Sequence, residues 1–151
     1  MNVLLLYPRF PDSFWSFKYA LRFVRKKASN PPLGLLTIAA MLPPEWSKRV
    51  VDLNVRDLTA KDLAWADCAM VSAMTAQRES AGEVIHRCHE AELPVVAGGP
   101  LFTTEPEAFP EVDHLVLGEA ELTLQPFLDD FAKGCARRVY KSEGHAELVQ
   151  S

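Results

Sequence analysis

Long apolar runs, clustered cysteines and an excess of basic charge are all missing from this 151-residue chain. No uninterrupted apolar stretch approaches the roughly 18 residues that span a bilayer, so no transmembrane helix is expected. Cys68, Cys88 and Cys135 are odd in number and far apart. They form no CxxC or CxxxCxxC group, which argues for reduced thiols and a cytoplasmic setting, and against a disulfide framework, a zinc ribbon or an iron–sulfur cluster held by these residues alone. Sixteen basic against twenty acidic side chains leave a formal charge of −4, too little positive field to recruit nucleic acid. The opening Met1-Asn2-Val3-Leu4-Leu5-Leu6 lacks the basic start of a signal peptide and is soon broken by Pro8 and Pro11. Neither GxGxxG nor GxxxxGK(S/T) follows any strand-like run, so the backbone cradles of ordinary dinucleotide and nucleoside triphosphate sites are absent. A receiver domain is excluded too, because Ser72-Ala73-Met74 stands where its phosphorylatable aspartate would close the third strand.

What is present has the length and the apolar content of one hydrophobic core. Strand-like runs at 3–7, 49–55, 67–74, 93–97 and 114–117 alternate with helix-like segments at 33–42, 58–65, 77–91 and 119–131. In the third helix Ala81, Val84, Ile85 and Cys88 recur at spacings of three and four. Such alternation specifies a doubly wound α/β domain around a mostly parallel, five-stranded sheet. Residues 137–140 offer one further short strand. Two stretches depart from the minimal pattern. The long connection after the first strand carries aromatic and basic residues over 14–27 and reads as a helical insertion, packed on the domain or lying on a membrane surface. The polar tail at 141–151 reads as the start of a linker, which sets the domain at 1–140.

Ligands of open parallel sheets bind at the carboxyl ends of the strands, which nominates the loops leaving that rim. Ser72 and Thr75, after the third strand, offer hydroxyls that donate and accept. They could equally cap the helix that follows. Gly98 and Gly99, after the fourth, remove two side chains from one turn, so a flat group could approach the backbone; a plain tight turn is the other reading. His86 and His89 lie three apart on a helix without a third ligand nearby, which reads as a solvated surface. His114 reads as a packed imidazole. Glu119 and Glu121 suit the first turn of a helix, where carboxylates meet the positive end of the dipole. No residue presents itself as catalytic.

Four phrases in order, Pro31-Pro32-Leu33-Gly34-Leu35-Leu36, Val71-Ser72-Ala73-Met74, Val95-Val96-Ala97-Gly98-Gly99-Pro100 and Gly118-Glu119-Ala120-Glu121, resemble the amino-terminal cobalamin-binding domain of cobalamin-dependent radical SAM enzymes. The wording around 72–80 and 98–103 is most similar to the hopanoid methylase branch, whose relatives are often described as magnesium-protoporphyrin IX monomethyl ester oxidative cyclases. The resemblance implies a Rossmann-like, flavodoxin-like fold of the cobalamin-binding type. It implies that Ser72, with Thr75, meets the displaced dimethylbenzimidazole nucleotide tail of cobalamin, that Gly98 and Gly99 let the tail lie against the sheet, and that Met74 and Pro100 also belong to the cofactor-binding set. Leu101, Phe102, Gly118, Glu119, Ala120 and Glu121 would line the corrin edge. No DxHxxG follows the first strand, so cobalt would be held without a protein histidine. The CxxxCxxC of a radical SAM core is missing, so SAM and an iron–sulfur cluster would belong to a further domain of the same polypeptide. The chain would then be a cobalamin-positioning module, not competent for turnover alone. The other expectation is a non-enzymatic α/β interaction or regulatory domain.

Overall fold

The computed structural model describes residues 1–11 and 32–142. Strands β1 (Asn2–Tyr7), β2 (Ser47–Asp52), β3 (Cys68–Ser72), β4 (Val95–Gly98), β5 (His114–Leu117) and β6 (Val139–Lys141) form one sheet in the order β2-β1-β3-β4-β5-β6. All five pairings are parallel. The doubly wound α/β reading holds, with a correction: among the described residues the sheet has six strands, because Val139, Tyr140 and Lys141 pair with Leu115, Val116 and Leu117. Only Tyr140 of that strand is buried, so it shows almost no apolar pattern.

Helices α1 (Leu33–Met41), α2 (Ala60–Trp65), α3 (Arg78–Glu90), α4 (Pro100–Thr104) and α5 (Ala120–Ala132) cover the sheet, with single 3₁₀ turns at Thr75–Gln77 and Pro106–Ala108. Val3, Leu4, Leu5 and Leu6 are all fully buried, which is why β1 is a continuous apolar run: it has a packed layer on each side. Leu4 and Leu6 face a cluster holding Ala81, Val84 and Ile85 of α3 with Leu101 and Phe102 of α4. Val3 and Leu5 face a second cluster holding Leu35 of α1 with Leu124, Phe127 and Leu128 of α5. The two faces therefore have different lids, α3 and α4 on one, α1 and α5 on the other.

Most boundaries fall within two residues of those expected. The second strand differs more, starting at Ser47 and ending at Asp52 because the Asp52 carbonyl accepts from Val55 and Arg56 N–H and turns the chain. The expected insertion at 14–27 and nearly all of the 141–151 tail lie outside the described residues. Within those residues no helix is long and apolar enough to cross a membrane.

Helix α2 is fixed by a capping box. Asp62 N–H donates to Thr59 Oγ1 at 3.2 Å, and Thr59 N–H donates to the Asp62 carboxylate at 3.0 Å. That carboxylate is almost wholly buried and also accepts from Arg56 and Arg49. The Arg56 guanidinium holds it well below the usual carboxylate range, with the Thr59 hydrogen bonds adding to the effect against the penalty of burial. A depressed folded value contributes stability that is complete above the unfolded value near 4 and drains away as pH falls below it. Asp62→Asn should therefore lose roughly 2 kcal/mol at pH 7, from the weakened cap and the broken ion pairs. Urea unfolding at pH 7 and pH 3 should show that deficit shrinking on acidification.

Candidate functional site

In a sheet ordered 2-1-3, the loops after β1 and β3 diverge and leave a crevice between them. Here the first residues after β1, Pro8 and Arg9, are tied to the β2 and β3 loops and to α3. Pro8 carbonyl accepts from Gln77 Nε2 at 2.6 Å and Asn54 Nδ2 at 3.0 Å, and Arg9 N–H donates to Ser80 Oγ of α3 at 2.8 Å. Gln77 is fully buried, and its Oε1 accepts from Met74 N–H at 2.7 Å, so one amide ties the ends of β1 and β3 together. The sequence marks Gln77 only as a helix start; its burial is a consequence of the fold.

The opening lies instead over β3, β4 and β5, on the face covered by α1 and α5. A cavity of about 270 Å³ runs in from the carboxyl rim. Its floor is Met70, Val96 and Val116, one from each strand on the same face; Met70 and Val96 are in register, and Val116 stands one pleat period further along, beside Gly98. Leu35 and Ile38 of α1 form one wall and Leu124 of α5 the other. Ser72, Gly98 and Gly118 follow the floor residues by two positions on the same face, and Gly99, Pro100, Ala120 and Glu121 complete the rim.

Two glycines shape the rim through what a side chain would strike. A Cβ on Gly98 would stand 2.7 Å from the Val116 carbonyl oxygen. Gly99 has φ +95° and ψ 178°, a region essentially reserved for glycine, and a Cβ there would meet the Ala73 carbonyl at 2.9 Å and Ser72 Oγ at 3.1 Å. The Ser72 hydroxyl makes no hydrogen bond within the described residues, so it keeps a donor and acceptors for something in the cavity. Thr103 binds the two turns together: its Oγ1 donates to Gly99 carbonyl at 3.0 Å and accepts from Gly118 N–H at 3.1 Å.

Of the residues nominated from sequence, Ser72, Gly98, Gly99, Pro100 and Gly118 meet around this cavity. Met74 and Thr75 are exposed beyond it, and Glu119 caps α5 beside lining residues Ala120 and Glu121. Leu101 and Phe102 are fully buried in the cluster on the opposite face of the sheet, so their side chains offer no surface to a ligand at the rim. The contribution of α1 was missed as site residues, although Pro32-Leu33-Gly34-Leu35 stood among the matching phrases. Cys68 and Cys88 are buried, and burial pushes each thiol up to about 12, so neither presents a thiolate near neutrality. His86 pairs with Glu111 and Glu90 on the surface, and those carboxylates raise its pKa.

A parallel α/β sheet with an apolar cavity at its carboxyl rim, floored by strands and edged by paired glycines, defines a cofactor- or ligand-holding domain. The chain belongs to the B12 binding domain family, which it matches over residues 24–128. It is 39% identical over 99% of its length to an uncharacterized methyltransferase of Synechocystis, and 43% identical over 78% of its length to the hopanoid C-2 methylase of Rhodopseudomonas palustris. It is 33% identical over 70% of its length to an uncharacterized methyltransferase of Pyrococcus horikoshii. The chain spans 28%, 23% and 26% of those proteins, about a quarter of each. No solved structure matches it significantly.

Proposed function

We propose that the cavity takes the nucleotide tail of cobalamin and that the corrin ring rests on the rim above it. The observation that carries this is the union of an apolar slot, an unpaired Ser72 hydroxyl and a glycine pair with no room for a Cβ. About 270 Å³ suits a bicyclic base and is too small for a macrocycle. Ser72, Gly98, Gly99, Pro100 and Gly118 would hold the tail, while Met74, Thr75 and Glu119 stand where the larger group would spread. Bound cobalamin supplies a cobalt centre able to carry a methyl group. The chain binds, orients and shields that group.

On this reading residues 141–151 begin a linker, and a radical SAM core further along the same polypeptide contributes SAM, an iron–sulfur cluster and the reaction. Exposed Leu33, Leu36 and Leu122, on the two helices that wall the cavity, give the corrin and that core an apolar surface to cover. The names of the relatives favour methyl transfer over oxidative cyclisation.

Gel filtration of the 151-residue chain with hydroxocobalamin, followed by a visible spectrum, tests the binding. Colour eluting with protein is expected, and colourless protein would overturn the reading in favour of a domain that no longer takes cobalamin. Ser72→Ala should weaken binding about tenfold, the worth of one hydrogen bond to a buried acceptor, while leaving the thermal midpoint unchanged. The reading frame after Ser151 tests the rest: CxxxCxxC is expected there.

A further inference from the structure

We infer that the cavity discriminates among corrinoids by their lower base, selecting an apolar benzimidazole over a purine. This rests on the cobalamin reading and adds a specificity to it. The deep part of the slot is made of Met70, Val96, Val116, Leu35 and Leu124, none of which has a side-chain nitrogen or oxygen to offer. Polar side chains reach it only near the rim. Thr37 already donates its hydroxyl to Leu33 carbonyl, Glu121 is exposed and as a carboxylate only accepts, so Ser72 keeps the one uncommitted side-chain donor among the described lining residues.

The chemistry of the two bases then separates them. Dimethylbenzimidazole, once released from cobalt, has a single ring nitrogen needing a partner, and the rest of its surface is hydrocarbon. One hydroxyl at the edge of an apolar slot matches that demand. Adenine carries an exocyclic amine and several ring nitrogens spread around its perimeter, so any pose against Met70, Val96 and Leu124 strips water from groups that find no partner. An apolar pocket rejects a ligand through the polar atoms it leaves unsatisfied, at roughly 1–3 kcal/mol for each. Met70, Val96, Val116, Leu35 and Leu124 are thus specificity-determining residues, and Ser72 fixes which single polar atom is admitted.

Absorbance titration of the 151-residue chain with hydroxocobalamin, its adenine-based counterpart and cobinamide, which has no nucleotide tail, tests the inference. The adenine form should bind at least about tenfold more weakly than cobalamin, and cobinamide on the order of 100-fold more weakly because the slot then stays unfilled. Val96→Thr keeps the shape of the floor and adds a hydroxyl, so the preference for benzimidazole over adenine should narrow. Equal affinity for the two bases, or an unchanged preference in the Val96→Thr protein, overturns the selectivity while leaving cobalamin binding intact. Cobinamide binding as tightly as cobalamin overturns the role of the slot. Retention of no corrinoid at all overturns the cobalamin reading and the selectivity with it.

Discussion

Gly99→Ala should lower stability by about 3 kcal/mol and weaken cobalamin binding in the same protein. Two independent penalties add. At φ +95° and ψ 178° an L side chain is strained by about 1–3 kcal/mol even in empty space. The space is not empty: the new methyl would stand 2.9 Å from the Ala73 carbonyl oxygen, which already accepts a hydrogen bond from Leu101 N–H. That oxygen belongs to backbone at the end of β3, so relief requires the β3 and β4 turns to separate. Ser72 Oγ, 3.1 Å from the same methyl, moves with them. For a domain of this size 3 kcal/mol corresponds to a fall in thermal midpoint of about 6–12 °C. Gly134 supplies the control. Its φ is also positive, at +72°, but it follows α5 at the surface with nothing within 4 Å of a Cβ. Gly134→Ala should cost about 1 kcal/mol and leave corrinoid titrations untouched. Equal losses of stability in the two proteins would show that conformation alone, not crowding against β3, makes Gly99 a glycine.

The contrast between these glycines shows what the sequence discloses and what it withholds. A Gly-Gly-Pro after an apolar run announces a turn at the carboxyl end of a strand, and the alternation of strands and helices announces the sheet that strand belongs to. Parity along β3 and β4 then follows, because a strand buried on both sides still sends alternate side chains to opposite faces. Which helices cover which face does not follow from any local pattern. It is set by the direction in which the chain crosses after each strand, and that decides the lining of the cavity. Leu101 and Phe102 illustrate the point. They directly follow the glycine turn, yet α4 packs on the far face and takes them away from the rim. Gly34, Leu35 and Ile38 illustrate the converse, being distant in sequence and brought to the cavity by α1. Gln77 and Thr103, which hold the loops in place, are legible only once the loops they join are seen side by side.

Ala120→Trp separates the two effects that Gly99→Ala combines: it should sharply weaken cobalamin binding with little change in stability. Ala120 is the first residue of α5, half-buried, and it lines the cavity together with Leu124 one turn later on the same face. Helical side chains lean toward the helix N-terminus, and the N-terminus of α5 lies at the carboxyl rim, so an indole at this position extends over the mouth of the slot. It meets open volume instead of packed core, and the apolar area it covers offsets the modest loss of helix propensity relative to alanine. Stability should therefore stay within about 1 kcal/mol of the parent. A nucleotide tail would have to displace the indole to enter, so affinity for hydroxocobalamin should fall by at least about 100-fold, equivalent to roughly 2.7 kcal/mol. Ala120→Leu, which fills less of the mouth, should give an intermediate loss. Cobinamide, with no tail to insert, should bind the parent and the tryptophan protein within a few-fold of each other. Parallel thermal melts and absorbance titrations decide the matter. A tryptophan protein that melts with the parent and binds cobalamin at full strength would place the ligand somewhere other than this slot.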